Sequence, residues 1–194
     1  METDDPMPQA GGRSLPGLRL GRFARSLFNV RAYLHFFRIL HFYAYSHVNE
    51  KPLMTIGPRT GFAPNVSIVN GRRITIGHDC HIGERCYLWA GNTSGKITIG
   101  NFVSLAPEVF ITASDYQFKA GLRFREQPKR ERDVVIGSDV WLGARVIVTA
   151  GAIIGDGCII GAGSVVTREI PSNSIAVGAP ARVVAMRGEG DSPQ

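Results

Sequence analysis

With 194 residues, 44% of them hydrophobic, the chain can bury one good core but hardly two. Its three cysteines, Cys80, Cys86 and Cys158, form no CxxC pair, which argues against a disulfide framework or a zinc knuckle and fits a reducing, cytoplasmic setting. A formal net charge of +6 favours acidic partners in general, whether nucleic acid, phosphorylated cofactors, nucleotide sugars or an anionic membrane surface, and does not choose among them.

The opening METDDPMPQAGGRS is polar and rich in Pro and Gly, does not meet the signal-peptide pattern, and reads as a disordered tail over residues 1–16. Residues 17–50 form an amphipathic extension. Between Leu18 and Val48 the apolar and aromatic residues recur at helical spacing with Arg22, Arg25, Arg31 and Arg38 among them, which predicts one or two helices. Such a helix packs its aromatic face on the main body or a neighbouring subunit, or rests on the inner face of a membrane as basic interfacial helices do; it is too often interrupted by Arg and His to span one. His35, His41 and His47 do not share a helical face, so no metal site is expected there.

From Ile56 onward the period is six. Aliphatic residues recur at Ile76, Ile82 and Leu88, then Ile99, Leu105 and Ile111, then Ile136, Leu142, Val148, Ile154, Ile160 and Val166, mostly followed by Gly or Ala. Neither a helix (3.6) nor a flat strand (2) has that period. A coil of three short strands per turn does: each aliphatic residue points inward, the small residue beside it is expected to allow the corner, and small groups such as Val140, Val146, Cys158 and Ser164 fill the narrow interior. The rhythm is interrupted briefly in LWAGNTSGK and for longer over residues 112–133, beginning within VFITASDYQFKAGLRF. The coil domain is expected over residues 51–187, with a flexible tail at 188–194.

The segment VVIGSDVWLGARVIVTAGAIIGDGCIIGAGSVVTREIPSNSIAVGAPARVV, through VWLG, GAGSVVT, P-x-x-S and VGAPA, resembles the hexapeptide-repeat acyltransferases, the maltose, galactoside and polysaccharide O-acetyltransferases in particular. LWAG, APEVFITAS and the aromatic, basic N-terminal segment look like the exopolysaccharide or capsule acetyltransferase subgroup. The resemblance implies an all-β solenoid, a left-handed parallel β-helix with an N-terminal α-helical extension. It also implies an acetyl-CoA-dependent acetyltransferase acting on a sugar hydroxyl or amine, assembled as a homotrimer with acetyl-CoA in the groove between neighbouring coils.

Carried over residue by residue, the resemblance puts Trp141 near the thioester and acceptor. Gly143, Ala144, Gly161 and Ala162 fall where the pantetheine arm runs, and Arg168 and Arg182, with Arg187 a further candidate, where they meet the nucleotide phosphates. It also implies a loop histidine as general base, but no histidine follows His81; the position falls at or beside Ser114, Asp115 and Tyr116. Asp115 is the nearest substitute base, Tyr116 can hydrogen-bond the acceptor or the thioester oxygen, and an amine acceptor needs only positioning. The same residues also read as a polar turn. Trp89 and Asn92 are candidates for holding the sugar, and Arg123 and Arg125, with Lys119, for drawing in an anionic acceptor. His78 and His81 point to different faces, so no metal is expected. The basic loop KAGLRFREQPKRERD has no recognised fold for base contact, so nucleic acid is not an expected partner. A non-catalytic β-helix trimer, serving as scaffold or sugar-binding subunit, is the alternative that the absent histidine favours.

Overall fold

The structure, a computed structural model, describes residues 29–188; residues 1–28 and 189–194, and with them the expected tails and the first part of the basic extension, lie outside the described residues. Contacts divide the chain between His41 and Phe42. Helix α1, Val30–Tyr43, runs into a π-helical turn, Ala44–Val48. No residue of α1 is buried. No described helix is long and apolar enough to cross a membrane.

The second unit is a left-handed parallel β-helix. In chain order its strands are β1 Thr55–Ile56, β2 Gly61–Phe62, β3 Ser67–Val69, β4 Ile74–Ile76, β5 His81–Ile82, β6 Tyr87–Trp89, β7 Ile97–Ile99, β8 Ser104–Leu105 and β9 Phe110–Thr112. An inserted ribbon of β10 Ser114–Tyr116 and β11 Lys129–Glu131 follows. The coil then resumes with β12 Val134–Ile136, β13 Trp141–Leu142, β14 Ile147–Val148, β15 Ile153–Ile154, β16 Ile159–Ile160 and β17 Val165–Val166, and ends with β18 Ser174–Val177 and β19 Arg182–Met186.

Strands of the coil sort into three sheets, β1-β4-β7-β12-β15 (face A), β2-β5-β8-β13-β16-β18-β19 (face B) and β3-β6-β9-β14-β17 (face C). Register is kept from coil to coil, so like residues stack. Ile76, Ile99, Ile136 and Ile154 align on face A; Ile82, Leu105, Leu142 and Ile160 on face B; Leu88, Ile111, Val148 and Val166 on face C. Each of these twelve side chains is at most 2% exposed. The inward small residues Val140, Val146, Cys158 and Ser164 are buried as the period predicts. A stack of this kind withdraws apolar area that no single hexapeptide could cover alone. At the C-terminal end, β19 runs antiparallel to β18 and covers what would otherwise be an open edge of face B.

The corners differ from expectation. The glycines after the aliphatic residues do not adopt left-handed backbone; at most of the tight A–B and B–C corners the left-handed residue comes two positions later, at Arg59, Asp79, Phe102, Asp139, Gly157 and Asn173 on one edge, and Arg85, Glu108, Arg145 and Gly163 on the other. Corner glycines are small for a different reason, which is the closeness of the next coil. A Cβ on Gly100 would lie 2.7 Å from the Gly137 carbonyl carbon, and one on Gly143 would lie 2.6 Å from the Ala162 nitrogen. The non-glycine left-handed residues in turn carry ion pairs along the edges. Arg59 pairs with Asp79, Arg145 and Arg85 share Glu108, and Arg187 pairs with Asp139. Hydrogen bonds from Arg59, and then from His78, hold the Asp79 carboxyl down at about 2.

All three cysteines are buried free thiols. Cys80 Sγ donates to Gly100 O, Cys86 Sγ to Ala106 O and Cys158 Sγ to Pro171 O, each bond joining one coil to the next. Burial pushes the Cys86 and Cys158 thiols up. Since the thiolate is the reactive form, the native protein is expected to resist an aromatic disulfide reagent and to release all three thiols on unfolding in urea. Fast labelling without denaturant would contradict the packed interior.

Candidate functional site

Each coil turns three corners, and only one of them takes insertions. Between faces C and A the first coil carries the short turn Gly71–Arg73, the next the loop of residues 90–96, and the third the interruption between β9 and β12. Stacked on one edge, these irregular segments make the concave surfaces that flat sheet faces cannot provide.

The interruption is an antiparallel ribbon rather than a polar turn, with Ser114 opposite Glu131, Asp115 opposite Arg130 and Tyr116 opposite Lys129. Its tip is closed by the buried side chain of Gln127, whose Oε1 accepts from Lys119 N at 2.7 Å and whose Nε2 donates to Lys119 O and Leu122 O. Glu131 ties the ribbon to the loop one coil earlier. Its Oε1 accepts from Asn92 N (2.7 Å); its Oε2 accepts from Ser94 N (2.6 Å), Gly95 N (3.1 Å), Thr93 N (3.0 Å) and the Thr93 hydroxyl (2.8 Å). Gly91 must be small here, since a Cβ would lie 2.5 Å from Glu131 Oε2. Desolvation raises the Glu131 pKa, but the hydrogen bonds from Ser94, Gly95 and Thr93 together outweigh it and leave the carboxyl well below the usual range. A carboxyl depressed in the folded state stabilises above its unfolded pKa of about 4.3, and that contribution is lost as pH falls toward the folded value. The amides of Thr93, Ser94 and Gly95 are therefore expected to lose hydrogen-exchange protection progressively below about pH 4.3. In Glu131→Gln that protection should already be absent at neutral pH. Protection in the variant equal to wild type would show that the loop holds itself.

Beneath the ribbon lies a hollow of about 340 Å³ lined by Val69, Trp89, Ala90, Asn92, Phe110, Thr112, Ser114, Asp115, Tyr116 and Lys129. It brings together five of the residues singled out from the sequence, Trp89, Asn92, Ser114, Asp115 and Tyr116. Trp89 stands edge-on to Phe110 (5.1 Å between ring centroids) and to Tyr87, and its indole N–H donates to Ser67 Oγ (3.2 Å). Asn92 accepts at Oδ1 from Asn70 Nδ2 (3.0 Å). The buried Ser114 hydroxyl oxygen has no hydrogen-bond partner among the described residues. Among the described residues the Asp115 carboxylate makes no hydrogen bond or ion pair, so it does not serve as a turn-capping group. Asp115 is half-buried like Ser114 and borders the same hollow. Tyr116 packs against Phe124 (5.2 Å) and under Lys129 Nζ (5.3 Å).

Other candidates lie elsewhere. Arg123, paired with Glu126 at 3.5 Å, and Arg125 are exposed near the ribbon tip and do not line the hollow; Lys129 does. Trp141 is half exposed on face B, beside Ser104 and Ile159, across the prism from the C–A edge. Within one chain it therefore does not share the hollow with Asp115. Gly143, Ala144, Gly161 and Ala162 gather on the B–C corner, where Ala144 and Ala162 border a cavity of about 520 Å³ with Arg85, Glu108 and Arg145. Coil stacking accounts for the small size of Gly143, whose Cβ would meet the backbone of Ala162; at Gly161 the nearest atom is in the side chain of Val177, with Cγ1 at 2.7 Å. Arg168 follows face C on the C–A edge, whereas Arg182 opens β19 at the end of face B and donates to Ala181 O. Arg187 is engaged by Asp139 Oδ2 at 2.6 Å.

Glu131, Gln127 and Lys129 had no recognisable signal in the sequence, where they read as members of a charged loop. Only the ribbon register would have revealed them.

The bacterial transferase hexapeptide (six repeats) family matches residues 133–168. Galactoside O-acetyltransferase of Escherichia coli K12 is 33% identical over 130 residues, 67% of this chain and 62% of the relative, so the chain spans less than two thirds of that protein. Nodulation protein L of Rhizobium meliloti is 35% identical over 133 residues, 66% of this chain and 68% of the relative. A galactoside acetyltransferase in complex with coenzyme A superposes with a TM-score of 0.61 at 26% identity, covering 73% of this chain and 72% of that one. The coil, its register and these similarities agree: the chain belongs to the hexapeptide-repeat transferase family.

Proposed function

We propose that this chain is an acetyl-CoA-dependent acetyltransferase that transfers an acetyl group to a hydroxyl, or an amino group, of a sugar in bacterial polysaccharide biosynthesis. The observation that carries the reading is the hollow on the C–A edge, where a carboxylate, Asp115, and a buried hydroxyl, Ser114, both without a partner among the described residues, stand beside the exposed indole of Trp89. The relative named as an O-acetyltransferase, and the related structure holding coenzyme A, support the donor.

In this reading the small residues Gly143, Ala144, Gly161 and Ala162 on the B–C corner leave room for the pantetheine arm, while Arg168 and Arg182 meet phosphates. Acetyl-CoA supplies the activated acyl carbon. A sugar ring stacks on Trp89, Ser114 and Tyr116 orient the acceptor by hydrogen bonds, and Asp115 takes the proton from the acceptor hydroxyl as its oxygen attacks. That proton ends on the departing thiolate of coenzyme A.

Because Trp141 and Asp115 occupy opposite sides of one prism, the site is completed between copies, with Trp141 of one chain beside Asp115 of its neighbour in a homotrimer. Complementation tests this. Asp115→Asn and Trp141→Ala chains, each inactive alone, should regain about a quarter of the wild-type sites when unfolded and refolded together, because a random mixture yields that share of intact pairs. A site held within one chain would regain nothing.

The absence of a histidine after His81 favours a second reading, a scaffold or sugar-binding trimer. Calorimetry with acetyl-CoA separates the two: binding is expected for the enzyme, and a chain that does not bind acetyl-CoA would sink that reading. A cytoplasmic protein held at the inner face of the membrane through α1 accords with the exposed Phe36, Phe37 and Leu40.

A further inference from the structure

A second cavity lies on the same edge, about 500 Å³, lined by Glu50, Leu53, Asn70, Gly71, Arg72, Arg73, Asn92 and Lys96. Its charge is lopsided for a specific reason. Its lining holds three cations, Arg72, Arg73 and Lys96, against one carboxylate, Glu50, whose Oε2 accepts from Gly71 N (2.7 Å), while the nearby Asp133 Oδ1 accepts from Lys96 N (2.8 Å) and both Glu131 oxygens accept from the loop at residues 92–95. Among the described residues the side chains of Arg72, Arg73 and Lys96 are left with no counter-ion and no hydrogen bond. The corner ladders behave differently, since Arg59, Arg85, Arg145 and Arg187 all find carboxylates. Three unpaired cations in a concave, polar pocket form an anion site, and two guanidinium groups suit the paired oxygens of phosphoryl groups better than a lone carboxylate.

Asn92 lines this cavity and also the hollow that holds Asp115, and Asn70, hydrogen-bonded to Asn92, follows Val69 of that hollow. The two cavities are therefore neighbours along this edge, with Asn92 bordering both. We propose that the Arg72–Arg73–Lys96 cavity binds the diphosphate of a diphosphate-linked sugar, whose sugar ring passes Asn92 to reach Ser114, Asp115 and Trp89. This rests on the sugar-acetyltransferase reading above and identifies the class of acceptor. The diphosphate is carried either by a nucleoside or by a polyprenyl lipid.

The test titrates the full-length protein with UDP and UDP-glucose by calorimetry, and in parallel measures co-sedimentation with phosphatidylcholine vesicles containing undecaprenyl diphosphate. Acetyl-CoA binding is measured on every sample. Wild type is expected to bind in at least one arm, and the arm that responds tells nucleoside from lipid. Arg72→Gln/Arg73→Gln should weaken that binding by about tenfold or more, and raised salt should weaken it for wild type, while acetyl-CoA affinity stays unchanged. Lys96→Met, at an exposed position, should weaken it by about threefold or more and serves if the double variant does not fold. Absence of binding in both arms by a wild-type protein that binds acetyl-CoA overturns the proposal without touching the enzyme reading. Unchanged affinity in the folded variants overturns it, and so does a loss confined to acetyl-CoA, which would assign the cavity to the donor. A wild type that fails to bind acetyl-CoA is the outcome that overturns the enzyme reading itself.

Discussion

Asp115→Asn is expected to lower turnover of a sugar acceptor by about 10²–10⁴-fold, the range for a lost general base, with acetyl-CoA affinity nearly unchanged. The substitution keeps size and shape and removes the ability to accept a proton. It is a clean test in this chain because no hydrogen bond or ion pair among the described residues depends on the Asp115 carboxylate, so the ribbon of β10 and β11 keeps its register and its anchors at Gln127 and Glu131. Steady-state kinetics with a confirmed acceptor, read beside calorimetry with acetyl-CoA, separates chemistry from binding. Wild-type turnover in the variant would leave water or the acceptor itself to carry the proton, as an amine acceptor would. Tyr116→Phe offers a contrast, since a residue that orients the acceptor by one hydrogen bond should act mainly on KM and by a smaller factor.

Leu105→Ala should destabilise the coil by about 2–5 kcal/mol, a large share of the roughly 5–15 kcal/mol by which a domain of this kind is folded. Leu105 is fully buried and sits in the face B column between Ile82 and Leu142, so the cavity it leaves is walled above and below by side chains fixed in their own coils. Thr98 occupies the outward position of face A between Thr75 and Val135, and Thr98→Ala should stay within about 0.5 kcal/mol. Urea denaturation of both variants makes the comparison. Equal small effects would mean that the column collapses onto the gap, against the close stacking that Gly100 and Gly143 require of neighbouring coils.

The coil is legible in the six-residue period alone. An aliphatic residue every sixth position is a local property, repeated in each hexapeptide, and any chain that buries it must turn three times per coil; Ile76, Leu142 and Val166 are inside for that reason, and the inward Cys158 and Ser164 with them. The breaks in the rhythm also marked where the inserted ribbon leaves the coil, on the edge where the proposed site lies. Which residues meet across coils follows only from the folded chain. Register partners are Thr55 and Thr75, Thr98 and Val135, Val135 and Ile153, so the separation in sequence changes with every insertion and no local pattern predicts it. That is why Glu131 could not be seen to hold the loop at residues 92–95, why Trp141 proved to face away from Asp115, and why the corner glycines proved to answer to a neighbouring coil rather than to their own backbone. It is also why Arg72, Arg73 and Lys96, unremarkable in sequence, form one pocket: two coils are needed to bring them together, and the carboxylates that would neutralise them are turned toward backbone N–H groups instead.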